Sequence, residues 1–140
     1  MGLKLRGRRG YGEVLAEGMA RAVQREGLDG SLVTWVPGRR RDVLDRGFDH
    51  ASVLARGVAS RLGLPRRSLL ERTGFREDQA ALGRAERFSN LEGAFQARSV
   101  SEAVVLVDDL VTTGATAGAC ARALLGAGAR SVEVLAACRA

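Results

Sequence analysis

The segment from Ala103 to Ala136 constrains this chain most. Ala103–Val107 (AVVLV) is an uninterrupted apolar run, the pattern of a parallel strand buried on both faces. Two acids follow at once, Asp108 and Asp109, and then the small, hydroxyl-rich string Thr112-Thr113-Gly114-Ala115-Thr116. Residues 116–125 repeat their apolar members at helical spacing, with Ala117, Cys120, Ala121, Leu124 and Leu125 on one side, and Gly126 and Gly128 stop them. Val132–Ala136 (VEVLA) is a second strand. Strand, helix, strand is a βαβ unit, and such a crossover is right-handed in nearly all cases. The fold class is therefore α/β.

The rest of the chain fits that class. Residues 11–26 place Val14, Leu15, Met19, Ala22 and Val23 at helical spacing, and Gly27 ends the run. Ser31–Val36 (SLVTWV) is a strand, closed by Pro37-Gly38. A charged stretch, 39–46, leads to a helix over Phe48–Leu62, which Leu64-Pro65 breaks. Residues 68–70 suggest a brief strand. Residues 71–98 follow no single period, and a long irregular stretch in a compact domain is commonly functional or mobile. With 140 residues, 46% apolar and 27% charged, the chain suits one soluble domain over 1–140. No apolar run nears the roughly 20 residues that span a bilayer, and no secretory h-region follows the charged start, so the expected location is the cytoplasm without membrane insertion.

Cys120 and Cys138 form no CxxC pair and have no histidine near them, which argues against a zinc site and for two buried, reduced thiols. Lys4, Arg6, Arg8 and Arg9 supply four of the six net positive charges, with no acid in the first ten residues. Such an arm suits a nucleic acid or another anion; its plainer reading is a solvated, partly frayed terminus. Aromatic residues are only 4% and scattered, which disfavours a single-strand binder built on base stacking.

The chemistry concentrates between strand and helix. In open α/β sheets ligands bind beyond the carboxyl ends of the strands. Backbone N–H groups entering a helix, with threonine hydroxyls beside them, suit a phosphate monoester. Adjacent acids are consistent with such a cradle when the ligand also carries a ribose diol or a hydrated Mg²⁺. A capping role for Asp109 and the threonines is the structural alternative.

The string VVLVDDLVTTGAT resembles the signature by which type I phosphoribosyltransferases bind phosphoribosyl pyrophosphate (PRPP). The resemblance implies a type I phosphoribosyltransferase-like fold, a mostly parallel sheet flanked by helices. It also implies that Asp108 and Asp109 meet the ribose hydroxyls, with Mg²⁺ held near them mainly through ligand and water. Thr112, Thr113, Gly114, Ala115 and Thr116 would hold the 5′-phosphate. Arg46-Gly47-Phe48, Arg72-Thr73, Gln79, Arg87, Asn90 and Ala94-Phe95 occur in the order seen in ComF-type phosphoribosyltransferase-like proteins, which are linked to bacterial competence. Asp49-His50 stand where that family often shows Asn-Gln, and the cysteine-rich zinc module that begins many members is not expected here.

By the same likeness Trp35–Arg41 sits where these enzymes bind pyrophosphate, with Pro37, Gly38, Arg39 and Arg40 as candidates. Residues 71–92 would be a flexible closing loop carrying Arg72, Gln79, Arg87 and Asn90. Phe48, Phe88 and Phe95 are packing anchors, and His50 a structural or surface residue. The implied function is Mg²⁺-dependent pentosyl transfer from PRPP to an unidentified acceptor, a nitrogen by preference, as in nucleotide metabolism. The rival is a non-catalytic PRPP binder or single-stranded-DNA binder serving competence. Single-stranded DNA, a competence-machinery protein and a second copy of the chain are the partners this leaves open.

Overall fold

In the computed structural model of the chain, which describes residues 5–27, 29–73 and 93–139, the apolar run of 103–107 is the central strand. Strand β1 (Leu32–Trp35) and strands β4 (Ala103–Val111) and β5 (Ser131–Arg139) form a sheet in the order β1-β4-β5. Both pairings are parallel, Leu32 opposite Val104 and Ala103 opposite Ser131. Beyond β1 lies one more rung, where Val33 N donates to Pro65 O and Arg67 N to Val33 O.

Side chains alternate across a strand, and each face of the sheet is covered. Val33, Val105 and Val107 pack under helices α1 (Leu5–Glu26) and α3 (His50–Leu62), which contribute Ala16, Met19, Val23, Leu54 and Val58. Leu32, Val104 and Leu106 face helix α4 (Ala115–Gly126), through Ala119, Cys120 and Leu124. On that second side also lies a small antiparallel ladder, β2 (Leu70–Arg72) with β3 (Phe95–Ala97), which adds Leu70 and Phe95 to the core. Coverage from both sides is why β4 reads as continuous apolar sequence. The architecture is α/β, a parallel sheet flanked by helices.

Several elements differ from the sequence expectation. Helix α1 starts at Leu5, so the backbone carrying Arg6, Arg8 and Arg9 is helical and not a frayed arm. The charged stretch of 39–46 winds into a short helix, α2 (Arg40–Arg46), none of whose residues is buried. Its two apolar residues, Val43 and Leu44, are adjacent and unburied, so no apolar period announces the helix. β2 lies at 70–72 and not at 68–70; three residues are too few to show a period of two. In α4, Ala119 is buried and Leu125 exposed, so the buried stripe is rotated from the one the apolar residues suggest. Cys120 is buried, but Cys138 is exposed, a correction to the expectation of two buried thiols. It lies near the end of β5, an outer strand of the sheet.

Candidate functional site

β4 does not stop where its apolar run stops. It continues through Asp108 and Asp109 to Val111, with Asp108 opposite Ala136 and Leu110 opposite Cys138 on β5. This keeps Asp108 in ladder geometry while it passes from core to rim. Its side chain is buried, at 6% relative exposure, and burial first, then the neighbouring Asp109, pushes its carboxyl up to about 6. Asp109 is half-buried.

The turn after β4 enters α4 through Gly114, whose φ of 82° is left-handed and unfavourable for any side-chain-bearing residue. The Thr113 hydroxyl accepts from Ala115 N at 3.2 Å, and Gly118 N donates to Gly114 O at 2.8 Å, opening the helical ladder. Gly114 caps α4 without a side-chain acceptor; the Thr113 hydroxyl meets Ala115 N, and the next amides of the first turn of this twelve-residue helix have no partner within the helix.

The opposite wall is the turn after β1. Val36 N still donates to Val107 O at 2.9 Å, which carries the chain alongside β4 as far as the acids. Pro37, Gly38 and Arg39 then turn away into α2. Two long-range bonds fix this turn. Arg72 Nε donates to the Pro37 carbonyl at 2.8 Å while its guanidinium lies 4.9 Å over the Phe95 ring. Gly38 N donates to Asp49 Oδ2 at 2.9 Å, and Asp49 Oδ1 accepts from Ala51 N at 3.2 Å, capping α3.

Between the walls is a cleft of about 340 Å³, at the low end of small-ligand sites, which run roughly 300–1,000 Å³. Pro37, Gly38, Arg39, Asp108, Asp109, Thr112 and Thr116 all line it. Arg40 is exposed in the first turn of α2 and outside the lining. Thr113, Gly114 and Ala115 shape the turn beside it without lining it. Arg72, expected on a closing loop, is instead held in β2 and reaches the cleft from the ladder. Gln79, Arg87, Asn90 and Phe88 lie outside the described residues. Phe95 is a core residue, whereas Phe48 lines the cleft with its ring stacked on His50 at 4.7 Å and 12°.

Sequence reasoning did not place Asp42, Arg46, Asp49 or His50 in the cleft. Asp49 carried a usable signal, an acid directly before a helical run. Arg46 and His50 lay in or beside the Arg46-Gly47-Phe48 resemblance, which did not point to the cleft, and Asp42 had no signal, because α2 meets the cleft only by virtue of where the Pro37 turn sends it. Among the described residues no three histidine, cysteine, aspartate or glutamate side chains cluster as a metal site, and no helix is long and apolar enough to cross a membrane.

No protein-family model and no curated protein sequence matches the chain. Solved structures do. An allosteric regulatory enzyme of purine biosynthesis is similar at 24% identity and a TM-score of 0.59, over 90% of this chain and 25% of that one. Glutamine PRPP amidotransferase from B. subtilis is similar at 24% identity and a TM-score of 0.52, over 90% of this chain and 26% of that one. TT1426 from Thermus thermophilus is 23% identical with a TM-score of 0.56, over 89% of this chain and 72% of that one. The chain thus spans about a quarter of the length of the first two. The fold is that of the type I phosphoribosyltransferases.

Proposed function

We propose that the chain binds PRPP in the cleft between the Pro37 turn and the Asp108–Thr116 segment and acts as a Mg²⁺-dependent phosphoribosyltransferase. One observation carries the reading: β4 and β1 deliver two acids, a phosphate-type helix entry and a Gly-Arg turn to one cleft at their carboxyl ends. Each part answers one part of the ligand. The carboxylates of Asp108 and Asp109 accept from the ribose hydroxyls. The open amides of α4, with Thr112 and Thr116, take the 5′-phosphate. The Pro37–Arg39 turn meets the pyrophosphate, where the Arg39 fork can grip two oxygens.

The donor set fits a hydrated Mg²⁺. Two carboxylates are present and no full protein cage is found among the described residues, so ligand oxygens and water would complete the shell beside Asp108 and Asp109. When bound, the ion would neutralise charge on the pyrophosphate. In the transfer, the lone pair of an acceptor, nitrogen in our reading, forms a bond to C1 of the ribose. The C1–O bond breaks, and pyrophosphate departs with that electron pair. The protein positions the reactants and stabilises the departing charge, without a covalent enzyme nucleophile.

Pyrophosphate release from PRPP and Mg²⁺, measured against a panel of bases and amines, tests this. Release that depends on one acceptor is the expected result. PRPP binding without release from any acceptor would favour the non-catalytic, ComF-like reading.

A further inference from the structure

The Pro37–Arg39 turn already holds an anion, and it is the chain's own. Asp49 Oδ2 accepts from Gly38 N at 2.9 Å, while Oδ1 caps α3 through Ala51 N. The fit is close: a Cβ on Gly38 would come within 3.3 Å of Asp49 Oδ1, and within 3.0 Å of a Val43 methyl. The turn has little room to recoil, because Arg72 holds the Pro37 carbonyl at 2.8 Å and α2 begins directly after Arg39. Gly38, Arg39 and Asp49 all line the cleft, so this carboxylate shares the space in which a ligand's second anionic group would sit. Asp42 lines the same end and adds charge of the same sign; Arg39 and Arg46 oppose it.

This geometry has a direct consequence for recognition. The Gly38 amide is a donor any anion at this wall would use, and an acceptor occupies it before a ligand arrives. A pyrophosphate group must either displace the carboxylate or lie beside it, against like-charge repulsion within hydrogen-bond range. A ligand with only a 5′-phosphate, held at the α4 end, meets neither difficulty.

Building on the PRPP reading above, we propose that Asp49 is a specificity-determining residue: by occupying the Gly38 amide, it weakens the pyrophosphate end of the site and sets how far PRPP is favoured over ribose 5-phosphate. It acts through the occupied turn and has no part in bond breaking.

The test is calorimetric titration of the full chain with PRPP and with ribose 5-phosphate, both with Mg²⁺, for the unmodified protein and for Asp49→Asn and Asp49→Ser. Asparagine and serine are both good helix N-caps, so α3 keeps its first turn. The expected result is a rise of about tenfold in PRPP affinity in both variants, corresponding to ~1.4 kcal/mol, with ribose 5-phosphate changed less than twofold. An unchanged ratio of the two affinities, or a fall in PRPP affinity alone, would overturn the role of Asp49 and leave the PRPP reading standing. Absence of binding of both ligands to all three proteins would overturn the PRPP reading and this inference with it.

Discussion

Asp108 sits at the point where a buried strand becomes the rim of the cleft, and its chemistry reflects both. Burial and the adjacent Asp109 raise its carboxyl from an ordinary 3.8 to about 6. A folded-state value above the unfolded one means that the native chain holds this proton more tightly. The resulting stabilisation is full below about pH 4 and is lost as pH rises through about 6. Asp108→Asn should therefore melt higher than the unmodified protein at pH 7 and show little difference at pH 4, in thermal melts across that range. The same change removes an acceptor from the cleft. Asp108→Asn combined with Asp109→Asn should keep the circular-dichroism spectrum and weaken PRPP at least about tenfold in calorimetry, since each lost charge-assisted bond is worth about 1.5–3 kcal/mol. Unchanged affinity would assign the pair a structural role.

Elements follow from sequence where they bury a face and not where they do not. α1 and α3 are examples of the first kind: Met19 and Val23, Leu54 and Val58 recur at helical spacing and meet in one cluster. Their contact is tighter than periodicity implies. A Cβ on Gly57 would lie 2.6 Å from the Ala16 Cβ, so the two helices touch through their smallest side chains, and Arg61 of α3 pairs with Glu13 of α1 across the edge. Gly57→Ala should push α1 away and destabilise the fold by about 1–3 kcal/mol, the usual cost of overpacking, read as a lower denaturation midpoint in urea with an unchanged slope. An unchanged midpoint would mean that α1 shifts at no cost. α2 is the other kind. Its seven residues bury nothing, so Arg40–Arg46 read as a charged loop although they are helical. β2 showed only as a brief strand placed two residues early and β3 not at all, because the ladder that joins Leu70–Arg72 to Phe95–Ala97 is a pairing between short segments far apart in the chain.

At the scale of the whole molecule, the sheet order β1-β4-β5 puts β4 in the middle, and the two turns that leave β1 and β4 at the same end make the cleft. A ligand bridging both turns binds the folded state alone and should stabilise it by mass action. PRPP with Mg²⁺ at a hundredfold excess over its Kd contributes about 2.7 kcal/mol, a rise of about 8 °C in Tm for a domain of this size. Differential scanning fluorimetry checks this, with inorganic phosphate as the comparison. An equal shift from phosphate alone would remove the ribose contacts from the reading and leave an anion site at α4.

The α/β class, the central strand and the strand-to-helix segment Asp108–Thr116 were legible in the chain, because burial on both faces, helical spacing and a strand-to-helix turn are local patterns written in consecutive residues. The sequence also marked the Pro37–Arg39 turn as a break after β1. The identity of the cleft's other wall was a tertiary matter. Arg72 reaches Pro37 across 35 positions and Asp49 reaches Gly38 across 11, and neither bond leaves a period or a spacing in the chain. Arg72 read as a loop residue because its strand partner lies beyond residues 74–92, and His50, correctly placed at a helix start, read as a structural or surface residue because nothing local shows that α3 begins at the cleft. Hydrogen bonds between segments depend on where packing brings them, and that is decided by the core as a whole: two layers of helices closing on one sheet.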